Sequence, residues 1–357
     1  MTQREKELFK SLCSFKSQFF DEKLLDAATP EVLGQLFFNR MQAVAYGTLK
    51  KHDLLGKVNR EFRNSLKAAY DQNCEKNISF FQCVETLNKI LSNCGCKFAM
   101  LKGAHLCKLY PEAYRTSNDV DLLVLPDDIT NITSVLDQMG FRQGNILNGE
   151  FVPATRKEII ESKMMRGETV PYIREVDLPG MRYLEVDINF SLDYKYGDVW
   201  ILEELLERAG VRSVNGLDVT TLDHEDFFVH LCAHLYKEAT TLPWVEMRRD
   251  MTLYKYCDIY LLLNDIDEEA TRKLFERAEE VGMRSICAFA IYQTARLLDF
   301  KNNFATKYAE EILKAEPDFV HTVISPKEKK IYAYEDKDIF SRFFVVNRKS
   351  LLKEMKM

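Results

Sequence analysis

The sequence predicts an α/β (α+β) fold with a mixed β-sheet, flanked by helical regions on both sides. Three observations predict it. Apolar residues recur at helical spacing through residues 1–95 and again from about residue 198. Between these stretches lie short apolar runs bounded by Gly and Pro, the pattern of buried strands. Two extended runs, 171–177 and 182–190, flank Pro179-Gly180, a strong hairpin turn.

Taken in order, Leu33, Phe37, Met41 and Val44 read as one helical stripe, and Phe80, Cys83, Val84, Leu87, Ile90 and Leu91 as another. Pro30 suits a helix start and Gly95 a stop. Residues 97–101 are a short apolar run ending at Lys102-Gly103, read as a strand followed by a short helix that Pro111 stops. Residues 119–125, Asp-Val-Asp-Leu-Leu-Val-Leu, read as a second strand. A helix follows from Pro126-Asp127-Asp128 to about Met139, ended by Gly140. Later helical faces are Leu202, Leu205 and Leu206, then Phe227, Phe228, Leu231 and Leu235, then Tyr256 with 260–263. The resulting blocks are an N-terminal helical region (1–95), an α/β core (96–195), a C-terminal helical domain (196–325) and a basic, aromatic segment (326–357). That last segment holds nine Lys or Arg against five Asp or Glu, with Phe340, Phe343 and Phe344. It reads as a solvated terminal helix packed by its phenylalanines; the sharper reading is a basic edge over an anionic substrate.

The chain has 357 residues, 46% hydrophobic and 29% charged, with a net charge of −6. This is a globular composition with a core large enough to need no covalent staples. The acidic balance disfavours gripping a nucleic-acid backbone, which needs clustered Lys and Arg. The nine cysteines are irregularly spaced with no C-x-x-C pair. The first residues are too charged for a signal peptide, and no apolar run is long enough to span a membrane. Reduced thiols in a cytoplasm are expected. Cys94-Gly-Cys96 is read as small apolar residues at a helix-to-strand junction in preference to a redox or metal pair, since a metal wants further ligands nearby.

Chemistry concentrates in residues 101–124. Asp119 and Asp121 are two apart on a strand and so share a face, about 7 Å apart. Two like charges so close repel unless a cation sits between them. Magnesium, or manganese in its place, is a suitable hard cation for carboxylate oxygens. In 183–190, Leu184, Val186, Ile188 and Phe190 take one face, and Glu185, Asp187 and Asn189 the other. With that strand beside 119–125, Asp187 completes a three-carboxylate cluster able to hold two metals, and suits the role of base for an attacking hydroxyl. Glu185 is the competing ligand. Gly103, after a strand and before a helix, would let phosphate oxygens approach backbone N–H groups, with Lys102 and Arg115 as nearby cations. In the bland reading these acids are solvated strand-end carboxylates, and Lys102 and Arg115 are surface charges. His230 and His234, four apart on a helix, are read as core or cleft-lining histidines in preference to zinc ligands. Asp258, between apolar residues, needs a partner if buried.

Strand, Lys-Gly, helix, then Arg-x-x-x-Asp-x-Asp on a strand, then a separate Val-Asp-Ile strand resembles the DNA-polymerase-β-type nucleotidyltransferase superfamily. More narrowly, it resembles the bacterial uncharacterised nucleotidyltransferase family. The residues that match are Leu101-Lys102-Gly103, Tyr110-Pro111, Arg115, Asp119 and Asp121-Leu122-Leu123-Val124. The likeness continues through Leu184-Glu185-Val186-Asp187, the run 228–234 ending at His234, and 256–263 with Asp258, and so covers about residues 85–300. The resemblance implies metal-dependent transfer of a nucleoside monophosphate from a nucleoside triphosphate (NTP) to an acceptor. It implies nucleotide contacts at Lys102, Gly103, Ala104, Arg115 and His234, metal ligands at Asp119, Asp121 and Asp187, and supporting roles for Glu185 and Asp258. Two departures stand out. Ala104 replaces the Gly or Ser that the superfamily usually carries at the phosphate turn, removing a hydroxyl. Asp187 is acidic where the narrower family often is not, which argues for intact metal chemistry.

Charge points to a small molecule, sugar or modified peptide as acceptor over nucleic acid; oligomeric state is open. Two rivals remain at the level of sequence. One is a glycosyltransferase binding a sugar nucleotide through Asp-x-Asp, disfavoured because the preceding residues are helical. The other is a non-catalytic nucleotide-binding or antitoxin-like relative, which Ala104 keeps alive.

Overall fold

The computed structural model describes residues 1–191 and 199–355. The core boundary placed at 195 lies outside the described residues. The chain packs as two compact units: unit 2 is residues 71–227, and unit 1 combines residues 1–70 and 228–357. The four sequence blocks are stretches of chain, and these units cut across them.

Unit 2 is built on a mixed six-stranded sheet. Its strands are β1 (Phe98–Met100), β2 (Asp119–Val124), β3 (Arg142–Leu147), β4 (Glu150–Pro153), β5 (Tyr172–Leu178) and β6 (Met181–Asn189). Their order is β1-β2-β6-β5-β3-β4. Only β2 and β6 pair in parallel; every other neighbour is antiparallel. The fold class is therefore the α/β one expected. Val120, Leu122 and Val124 of β2 and Leu184, Val186 and Ile188 of β6 supply the core face. Phe80, Val84, Leu87 and Leu91 of helix Arg60–Leu91 and Ile132 and Leu136 of helix Ile129–Gln138 join the same cluster. Since strand side chains alternate, this face leaves residues 119, 121, 185 and 187 on the other.

A hairpin of β7 (Gly210–Val214) and β8 (Leu217–Thr221) lies in the block read as helical. Its signal is Asn215-Gly216, both at positive φ, the pairing a tight hairpin demands. Asn88 staples it to the long helix, accepting from the Thr220 N–H at 3.0 Å and donating to the Asp218 carbonyl at 3.4 Å. The β3–β4 hairpin likewise turns on Asn148-Gly149. The expected hairpin at Pro179-Gly180 is present as β5–β6.

Unit 1 is largely helical. The stripe read through Leu33 to Val44 is interrupted: one helix ends at Phe38, Arg40 takes φ 57°, and a new helix starts at Gln42. That break rotates the buried face to Val32 and Leu36 and leaves Phe37 exposed. The C-terminal segment departs further from expectation. It supplies β10 (Lys330–Tyr334) and β11 (Leu352–Glu354), which pair with β9 (Thr322–Ser325) of the preceding block in a three-stranded sheet, and a short helix Ile339–Phe343. The run Ile331-Tyr-Ala-Tyr334 favours a strand over a helix. Several of the segment's cations are paired within the protein. Arg348 makes a bidentate pair with Asp250 (2.6 and 2.8 Å), both buried, and Arg342 donates to the Asp336 carbonyl at 2.7 Å. Lys330, Lys337, Lys349 and Lys353 each pair with a carboxylate. No described helix is long and apolar enough to cross a membrane.

Candidate active site

The parallel pairing of β2 with β6 sets Asp119 opposite Glu185 and Asp121 opposite Asp187. Four carboxylates thus share one face of two adjacent strands. Asp121 is buried, and the other three are half-buried. Burial, then the Asp121 and Asp119 charges, push the Asp187 carboxyl well above its usual range; Lys102 opposes this and Glu168 adds to it. Burial and Asp119 also raise Glu185, against the pull of Asn118 and Lys76.

Each acid of the Asp-x-Asp pair has a partner. The Lys102 ammonium donates to Asp121 Oδ1 at 2.8 Å. The Ser117 hydroxyl donates to Asp119 Oδ1. Asn118 Nδ2 donates to Glu185 Oε1 at 3.1 Å. As the side chains stand, no three His, Cys, Asp or Glu groups among the described residues converge closely enough to chelate an ion.

Lys102 reaches Asp121 because the chain bends there. The Leu101 N–H still donates to the Asp121 carbonyl at 2.8 Å, extending the β1–β2 ladder. Lys102 then takes φ 43°, ψ −114°, and the helix Gly103–Leu109 begins. A non-glycine residue in such backbone costs on the order of 1–3 kcal/mol. Gly103 must be glycine for a reason the sequence did not reveal: a Cβ there would lie 2.8 Å from the Ser117 Cβ and 2.9 Å from its Oγ. The Ala104 methyl is fully buried in the core cluster, so only its backbone can meet a ligand. Arg115 Nη1 donates to the Thr116 carbonyl at 2.8 Å, and Asn77 holds the Arg115 carbonyl at 3.0 Å.

His234 and Asp258 belong to unit 1. His234 Nε2 lies 3.3 Å from Glu238 Oε1, and Glu238 also pairs with the buried Lys255. Asp258 is buried in helix Leu253–Leu263. His230 is buried, stacked 6.4 Å from His234. None of the nine cysteines is in a disulfide. Cys96 is pushed up to about 11 by burial, Cys94 and Asp128, which makes it a poor nucleophile or ligand.

Sequence reasoning missed Ser117 and Glu168. Ser117 sits inside the Arg115-x-x-x-Asp119 spacing, but its role depends on the approach of Gly103. Glu168 follows Gly167 and bridges Asn189 at the end of β6, a long-range pairing that no local pattern announces.

The profile of the uncharacterised nucleotidyltransferase family matches residues 27–299. The chain belongs to that family. No curated protein matches the sequence at a significant level. Among solved structures, an antigenic nucleotidyltransferase-like protein from Paracoccidioides brasiliensis is similar at 13% identity and TM-score 0.34, over 67% of this chain and 88% of that one. The antibiotic-resistance factor ANT(2'')-Ia is similar at 9% identity and TM-score 0.28, over 57% of this chain and 97% of that one. TM-scores this low carry no argument beyond the family match.

Proposed function

We propose that the protein transfers a nucleoside monophosphate from an NTP to a hydroxyl or phosphate of an acceptor, releasing pyrophosphate, with magnesium or manganese as cofactor. The single observation that carries this reading is the β2–β6 register, which gathers Asp119, Asp121 and Asp187 on one face. The donor set fits a hard divalent cation. All its atoms are carboxylate oxygens, and the Asp187 carboxyl is raised by burial and then by crowded negative charge, the second of which a cation would relieve. When bound, the cation neutralises phosphate charge in the in-line displacement. Asp119, Asp121 and Asp187 would hold it, with Glu185 in support. Asp187 takes the proton of the acceptor hydroxyl. Lys102 and Arg115 counter the charge of the triphosphate, and the backbone at Gly103 and Ala104 lies against it. His234 and Asp258 belong to the same reading through the family motif alone.

A net charge of −6, with Lys330, Lys337, Lys349 and Lys353 each paired to a carboxylate, favours a small molecule, sugar or modified peptide over nucleic acid as acceptor. We place the reaction in the cytoplasm. The test is pyrophosphate release with each of the four NTPs, magnesium and a candidate acceptor extract. The Asp119→Ala, Asp121→Ala double variant should fall to background. Equal release from variant and wild type would sink the assignment.

A further inference from the structure

We propose that Lys102 is the site's own counter-cation in the absence of nucleotide, and that an NTP must draw its ammonium off Asp121 before a divalent cation can settle there. The inference deepens the nucleotidyltransferase reading and rests on it. Its consequence is ordered loading: metal affinity is suppressed until the triphosphate arrives.

Three observations carry it. First, the ion pair is close and sheltered: Lys102 Nζ lies 2.8 Å from Asp121 Oδ1, with side chains 17% and 9% exposed. An ammonium held this close repels a second cation at the same carboxylate. Second, the β2–β6 pairing fixes the backbones of the acids side by side, so the lysine is the partner with the most freedom to leave. Its ammonium is a compact charge on a flexible four-carbon stem, suited to swinging between anions. Third, the backbone is bent to deliver it. Lys102 occupies φ 43°, ψ −114°, at the junction where β1 gives way to the helix Gly103–Leu109. Strain of this kind persists only where surrounding contacts hold it; the Leu101–Asp121 ladder bond and the Gly103–Ser117 approach do so on either side.

A triphosphate brings several negative charges against the single charge of Asp121, and so competes for the ammonium. Because nucleotide and metal are linked through one movable group, each must strengthen binding of the other.

Manganese alone is the probe, with free Mn2+ followed by its electron paramagnetic resonance signal and no nucleotide present. Lys102→Met removes the charge and keeps the stem. Lys108→Met removes the same charge from the short helix that Lys102 precedes, where Lys108 lies over the Phe81 ring at 4.2 Å. Lys102→Met should bind Mn2+ about tenfold more tightly than wild type, and Lys108→Met within about twofold. Adding Asp121→Asn to Lys102→Met should abolish the gain. Equal gains from both lysine variants, or a gain that survives Asp121→Asn, would overturn the proposal. Lys102→Gln serves the same test should the methionine variant fail to fold. The assay needs no turnover, so its outcome separates from the function test. An active wild type with unchanged Mn2+ affinity in Lys102→Met sinks this inference alone. An inactive wild type sinks the functional reading, whatever manganese does.

Discussion

Asp121 and Asp187 are direct partners across the parallel pair β2–β6, and burial together with the Asp121 charge pushes the Asp187 carboxyl well above its usual range. A fold that wanted only stability would not place two acids there. Asp187→Asn should therefore separate two properties. Turnover should fall by about 10²–10⁴-fold, the range for loss of a general base. The melting temperature should hold or rise, because the amide relieves like-charge crowding. Parallel loss of activity and melting temperature would make Asp187 a structural group.

Gly103→Ala places a methyl 2.8 Å from the Ser117 Cβ. Overpacking of this kind costs about 1–3 kcal/mol. The double variant Gly103→Ala, Ser117→Gly should recover most of it in chemical denaturation. Strict additivity of the two substitutions would show that the contact does not couple them.

Ser117→Ala removes the hydroxyl that donates to Asp119 Oδ1 and keeps the Cβ that lies against Gly103. A hydrogen bond to a charged group contributes about 1.5–3 kcal/mol. The effect should appear chiefly as weaker Mn2+ binding, since the released Asp119 carboxylate is less well held. Unchanged Mn2+ affinity would deny Ser117 a positioning role.

In unit 1, the buried Asp250–Arg348 pair ties the C-terminal segment to the helices. Removing one partner, as in Arg348→Met, strands a buried charge and should cost about 3–5 kcal/mol. Asp250→Leu with Arg348→Met should cost less than the sum of the single changes. Denaturation midpoints of the three variants decide it.

His105 and His321 are both pushed down to about 4, His105 by burial and the His224 and Arg212 charges, His321 by burial and Arg342. The unfolded chain takes these protons near pH 6.5, whereas the native state refuses them until about 4. Stability should be flat above that window and fall as pH drops through it. Urea midpoints at about pH 7.5 and about pH 5 measure the slope. The variant His105→Gln, His321→Gln should flatten it.

Much of the site was legible because its signals are local. Asp119-x-Asp121 declares its shared face by the strand period, and the polar face of 183–189 does the same for Asp187. Their meeting is long-range, yet the family pattern anticipated it. Ser117 and Glu168 were not legible, because each matters only through a partner brought in by tertiary packing. The β3–β4 and β7–β8 hairpins were readable in principle from Asn148-Gly149 and Asn215-Gly216, but short strands carry too few apolar positions to assert a period. The C-terminal charges misled for a related reason. Arg342 and Arg348 look like surface cations in sequence, and only burial against Asp250 and the Asp336 carbonyl makes them internal.

Unit 2 is one uninterrupted stretch of chain, whereas unit 1 needs both 1–70 and 228–357. Asn39 holds the Leu253 N–H, and the Ser14 hydroxyl holds that of Asp299. On the ribosome those partners emerge long after the first helices, at about 5–20 residues per second a delay of tens of seconds. The segment carrying the carboxylates is thus complete while the earliest-made helices still wait for theirs. The order of synthesis lets the unit that carries these carboxylates fold before the unit that began first.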